Sequence, residues 1–151
     1  MLVLQIFVIL ALGLMCGSEL NVAAFSHPTL NRQPLDTHIR MRSAFAVLFG
    51  RMMPFWMGGS TLLNLALLLP VAHLTGMAWR LTAISAAIQV LAVIFSLAGP
   101  VPINNRIMTW TPQSLPADWQ AQERRWDAYH WIRTIGLIVA FAVLLSSLAV
   151  R

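Results

Sequence analysis

Long apolar stretches alternate with polar connections along this chain, and the polar groups are gathered unevenly. The first stretch runs from about Leu2 to Ala24. Its apolar part ends near Gly17, and Ser18-Glu19-Leu20-Asn21 carries the helix into a polar zone. His27-Pro28 marks its expected end, because proline disfavours helix in the residue before it. Thr29 to Asp36 reads as a loop. A second helix is predicted from an N-cap at Asp36-Thr37 to about Ala72. That is too long for the hydrocarbon core alone, so its first turns, with His38, Arg40 and Arg42, are expected to project into the interface. Pro54 is a candidate kink. Gly58-Gly59-Ser60 permits close helix approach, within one chain or between chains of a homo-oligomer. After a turn at His73 to Met77, a third helix runs from about Ala78 to Ala98 and stops at Gly99-Pro100-Val101-Pro102. Ile103 to Ala117 reads as a loop. The fourth helix starts near Pro116-Ala117-Asp118, is polar in its first half, and is apolar from Ile135 to Val150.

Apolar runs of this length without alternation exclude strands. Each span needs roughly 20 residues, so residues 1–151 make a single domain. The fold class is therefore all-α: a four-transmembrane-helix up-down bundle with helices one, two and four extended on one membrane side. Composition agrees, since 10% of the residues are charged against about 25% in soluble domains; lipid solvates much of the surface. The first 17 residues lack a basic start, and no Ala-x-Ala site follows at once, so they are expected to be a retained span rather than a signal peptide.

The net charge is +5, and among Lys and Arg every residue is Arg. Nucleic-acid binding needs an exposed basic patch on a soluble module, and no nucleic-acid partner is expected. The positive-inside rule accounts for the excess. Arg32, Arg40, Arg42, Arg51, Arg106, Arg124, Arg125 and Arg133 fall on or near the first and third connections, with Arg80 and Arg151 on the other side. The polar end is thus expected in the cytoplasm and both termini outside, in a plasma membrane or, in a bacterium, the inner membrane. Cys16 stands alone, which excludes a disulfide framework and a Cys-based zinc site.

Candidate chemistry lies at the polar end. Glu123, Asp127 and His130, spaced four and three apart, share one helical stripe, and Trp126, His130 and Arg133 form the next. Glu19 is costly at the edge of an apolar helix unless partnered or protonated. It suits a general base, a metal ligand, or a structural pair with Arg51 or Arg133. His27, eight residues on, flanks the same region. Asn104 and Asn105 follow the proline break and suit either a substrate carbonyl or turn chemistry. Trp110, Trp119 and Trp126 wall an aromatic pocket or belong to an interfacial belt. His38, His73, Glu123, Arg124 and Arg125 read as interfacial. Glu19, His27, Asp127 and His130 also offer mixed ligands for iron, copper or manganese, and His27 with His130 offers a haem pair. Asp127-x-x-His130 is half of a di-metal bundle motif, present in one copy. A phosphate loop, His-Glu-x-x-His, a nucleophile elbow and a Cys pair are missing, so nucleotide hydrolysis, zinc proteolysis and thiol redox are unsupported.

Taken together, Gly17-Ser18-Glu19, His27-Pro28, Pro102-Ile103-Asn104, Trp110, Pro116-Ala117-Asp118-Trp119 and Arg125-Trp126-Asp127-x-x-His130-x-x-Arg133 resemble the anthrone-oxygenase-like family of small four-helix membrane proteins. The resemblance covers nearly the whole chain and is most specific in its second half. It implies a membrane oxygenase that oxidises a hydrophobic, anthrone- or phenol-like aromatic with dioxygen and carries no flavin or haem motif. In that reading His130 is the base, oriented by Asp127. Arg133 and Asn104 stabilise the oxyanion. Glu19 and His27 position substrate or relay protons, the three tryptophans wall the ring system, and no cofactor is required. Two readings stand beside it: a metal- or haem-binding redox protein using Glu19, His27, Asp127 and His130, and a non-enzymatic membrane subunit that docks a partner. A transporter is less supported, because spans three and four carry Gln89 as their main polar exception.

Overall fold

Helices build the chain in the computed structural model, which describes residues 2–150, Val71 by its backbone alone. Arg151, expected on the side of the termini, lies outside the described residues. The helices are α1 (Leu2–Leu30), α2 (Leu35–Ala66), α3 (Gly76–Ala98), α4 (Pro100–Ile107) and α5 (Trp119–Ala149), with a 3-10 turn at Pro70–Ala72. No strand occurs among the described residues.

Three helices, α1, α3 and α5, are long and apolar enough to cross a membrane, rather than the four expected. The exception is α2. Arg51, Pro54, Gly58-Gly59-Ser60 and Asn64 dilute its apolar content, and it ends at Ala66, before the leucines at 67–69 can add to it. It also begins about two residues earlier than expected, with Pro34 at the N-cap and Asp36 inside the first turn.

Two further boundaries differ for reasons of proline chemistry. Pro28 does not end α1, because Val22–Ser26 forms a π-helical turn in which the His27 N–H reaches back five residues to the Val22 carbonyl. A wide turn gives the proline ring room and needs no N–H from it, so the helix runs on to Leu30. Within the expected loop after α3, Pro100 and Pro102 open the short helix α4. The first turn of a helix has no use for their missing N–H groups.

Side-chain hydrogen bonds give the helix directions. Gln5 with Ser147 and Glu19 with Arg133 run α1 and α5 antiparallel. Ser85 joins α3 to the Ala140 carbonyl of α5 and accepts from Asn64 of α2. In a membrane each such interhelical bond contributes about 0.6 kcal/mol, at most ~1.7. Between them packs an apolar layer of Val8, Leu12, Met15, Met57, Leu137 and Leu144. A second apolar layer, with Val22, Ile39, Ala46, Ile107, Trp110 and Trp126, closes the polar end. The buried Glu19–Arg133 pair sits between these layers, and the buried groups around Arg42 lie level with the second. Outward-facing Leu10, Phe55, Leu62, Leu91, Leu97 and Ile135 are exposed, as a lipid-solvated surface requires.

Candidate functional site

The π turn of α1 decides which residues share the bundle interior. Eight residues of regular α-helix overshoot two turns by about 80°. The extra residue absorbed by the π turn makes the step from Glu19 to His27 act as about seven, within about 20° of two full turns. Both side chains are consequently buried, Glu19 to 1% exposure.

Glu19 meets α5 at Arg133. Its Oε2 accepts from Arg133 Nη2 at 2.6 Å and from Nε at 3.1 Å. The same Nη2 donates to His130 Nδ1 at 2.9 Å, and His130 Nε2 donates to the Glu19 carbonyl at 3.1 Å. A guanidinium cannot accept and a carbonyl cannot donate. His130 is therefore held as a neutral imidazole with its proton on Nε2. Arg133 Nη1 extends to Ser96 of α3 at 3.4 Å.

A second ionic group lies nearer the polar end. Arg42 Nη2 donates to Asp127 Oδ1 at 2.7 Å, and the same oxygen lies 3.1 Å from His27 Nδ1. Glu123 Oε1 stands 3.6 Å from Arg42 Nε and 2.8 Å from His38 Nε2, while His38 Nδ1 donates to the Leu30 carbonyl. Trp126 separates the two groups. Its indole stacks on His130 at 4.7 Å and 13°, tilts against His27 at 4.8 Å, and receives the Arg42 guanidinium at 4.9 Å. Its own Nε1 is buried and has no hydrogen-bond partner.

Three cavities border this assembly. The most apolar, about 280 Å³, lies between α2, α3, α4 and α5 and is lined by Met53, Val93, Asn104, Trp126 and Arg133 among others. A smaller polar one of about 90 Å³ touches His27, Asp127 and His130. A third, about 450 Å³ and open to the polar end, is bordered by His38, Trp119, Glu123 and Asp127.

Glu19, His130 and Arg133 thus come together as expected; Arg133 lines the apolar cavity with Trp126 and Asn104, and His130 lines the small one. Other expectations change. Asp127 does not orient His130; it binds His27 and Arg42 instead, because its place on α5 points it toward α2. Trp110 is packed in the core against Ile107 and lines none of the three cavities, and Trp119 borders the outer one. Arg42, His38 and Glu123, read as interfacial, are buried, Arg42 to 2% exposure. The available signal was spacing: His38, Arg42 and Ala46 recur every fourth residue, one inward stripe of α2.

The donor set does not fit a metal. Glu19 with His130 and Asp127 with His27 form two separate pairs, each closed by an arginine that already supplies the cation. Among the described residues no three His, Cys, Asp or Glu side chains converge. His27 and His130 have ring centroids 6.2 Å apart, but the 90 Å³ cavity beside them is too small for a porphyrin.

A family model described as anthrone oxygenase matches residues 41–143. No curated protein and no solved structure matches the chain. The matched region takes in Arg42, Asn104, Trp126, Asp127, His130 and Arg133, and it spans more than half of the sequence. With its apolar helices and this shared region, the chain belongs to the anthrone oxygenase family.

Proposed function

We propose that this protein is a membrane oxygenase that oxidises a flat, lipid-soluble aromatic of the anthrone or phenol type with dioxygen. The observation that carries the reading is the apolar cavity of about 280 Å³ whose polar wall includes the Arg133 guanidinium and Trp126, with its unpartnered N–H. A neutral aromatic fills the apolar part, and its oxygen meets donors. Asn104 adds an amide, although its Nδ2 already donates to the Ala46 carbonyl.

The chemistry follows from the acidity of a methylene conjugated with a carbonyl. Loss of its proton leaves an electron-rich enolate, whose oxygen is stabilised by Arg133 and the Trp126 N–H. One electron passes to dioxygen, and the resulting radical and superoxide combine at the former methylene carbon. Protonation gives a hydroperoxide, and loss of water from it leaves the new carbonyl. One oxygen atom is retained, and the other departs as water with the two methylene hydrogens.

His130 does not line the apolar cavity but is bonded to Arg133, which does, and it is the proton acceptor in this scheme, reached when that guanidinium moves. Nδ1 is free to accept only when Arg133 Nη2 turns away from it, and the substrate's carbonyl oxygen in the cavity competes for that Nη2 hydrogen. Glu19 is a positioning residue that holds the guanidinium and balances its charge. His27, which borders the same small cavity as His130, leads the proton toward water.

The membrane setting extends the same reading. α2 crosses alongside the three apolar helices to complete an up-down bundle, with the arginine-rich site end in the cytoplasm and both termini outside. Dioxygen and aromatic substrates both partition into the bilayer that surrounds the cavity.

The test uses the full chain in nanodiscs with 1,8-dihydroxyanthrone. One dioxygen consumed per quinone formed, with His130→Gln losing about 10²–10⁴-fold in turnover, supports the reading. Quinone formation no faster than in empty nanodiscs overturns it.

A further inference from the structure

We propose that Gly50, Pro54 and Gly58 of α2 form the floor of a slot that opens sideways to the bilayer, and that Gly58 sets the size of the ring system admitted. The proposal rests on reading the 280 Å³ cavity as the substrate site. All three residues line that cavity. Spaced four apart, they lie on one stripe of the helix and present no long side chain.

The two glycines have different reasons to be small. A Cβ on Gly50 would stand 2.9 Å from Asn104 Nδ2, so this glycine makes room for the amide that reaches the Ala46 carbonyl. A Cβ on Gly58 would meet nothing within 4 Å. Glycine is a poor helix former, and no neighbour within the chain calls for one here. What the missing side chain leaves is cavity space.

The exposed rim of the slot is mainly apolar, with Asn105 as its polar exception. Pro54 and Leu97, both on the cavity wall, are exposed, Leu97 to 64%. Phe55 and Ile94 beside them are also exposed, Phe55 to 83%. At the inner end stands Trp126, buried, with an N–H that has no partner, beside Arg133. An apolar slot that ends in donors suits a flat ring inserted with its acceptor oxygen leading.

Gly59 supplies the control. A Cβ there also meets nothing within 4 Å, yet Gly59 does not line the cavity. The full chain in nanodiscs is titrated with 1,8-dihydroxyanthraquinone, and binding is read by quenching of tryptophan fluorescence. Gly58→Leu is expected to weaken binding about tenfold or more, as overpacking of a filled space does, while Gly59→Leu binds like the parent. Gly58→Ala reports on folding, with a thermal midpoint equal to the parent's or higher. Added lipid at constant total probe is expected to lower occupancy. Parental binding by Gly58→Leu, equal losses in both leucine variants, occupancy indifferent to lipid, or a parent that binds no probe each overturn the slot. A parent that binds the probe but consumes no dioxygen with the anthrone overturns the oxygenase reading and leaves the slot standing.

Discussion

Glu19 Oε2 lies 3.3 Å from His130 Nδ1, although the two residues are 111 positions apart, and Arg133 Nη2 bonds both. The guanidinium supplies the positive charge that allows a carboxylate to be 1% exposed among apolar helices.

Breaking this pair from one side leaves a buried charge without a partner. Arg133→Met is expected to cost about 3–5 kcal/mol, read as a fall in the thermal midpoint in detergent. Glu19→Leu combined with Arg133→Met removes both charges and is expected to recover most of that stability without recovering turnover. A single variant as stable as the parent contradicts the buried pair.

Trp126→Phe keeps an aromatic face on His130 and removes the unpartnered N–H. The variant is expected to fold and to bind 1,8-dihydroxyanthraquinone about threefold to tenfold more weakly, the worth of one neutral hydrogen bond. Unchanged affinity means that the indole N–H does not meet the ligand.

Asp127→Asn separates two assignments. If Asp127 oriented His130, the variant would lose most of its turnover. Because Asp127 instead bonds Arg42 and His27, the expected outcome is a loss of about 1–3 kcal/mol of stability, with kcat within about threefold of the parent. A much larger fall in kcat at unchanged stability restores the His130 role.

Asp36 and Arg40 form an exposed pair one helical turn apart. The Arg40 hydrogen bond holds the Asp36 carboxyl below the usual carboxylate range. A depressed value means that the pair's contribution is present above the unfolded value of about 3.9 and is lost as pH falls through the folded one. Solvent screens such a pair. Arg40→Ala at neutral pH is therefore expected to leave the thermal midpoint within error of the parent's, and a drop comparable to that of Arg133→Met refutes the contrast between exposed and buried pairs.

What was legible in the chain was local. Long apolar runs dictated helices, because only a helix satisfies every backbone group within one lipid-facing segment. Their polar ends located the ionic groups, and charge cost alone demanded a partner for Glu19, with Arg133 among the two candidates. The family likeness was readable from Asn104, Trp126, Asp127, His130 and Arg133 in their order and spacing.

Pairing was decided only in three dimensions. Which arginine meets which carboxylate depends on how each helix is rotated about its axis, and one π turn in α1 changes that rotation by the width of a residue. The same rotations turned Asp127 from His130 to Arg42, drew His38 and Arg42 inward, and left Gly58 over empty space. Periodicity names the residues that share a face; packing against the other helices determines what that face touches.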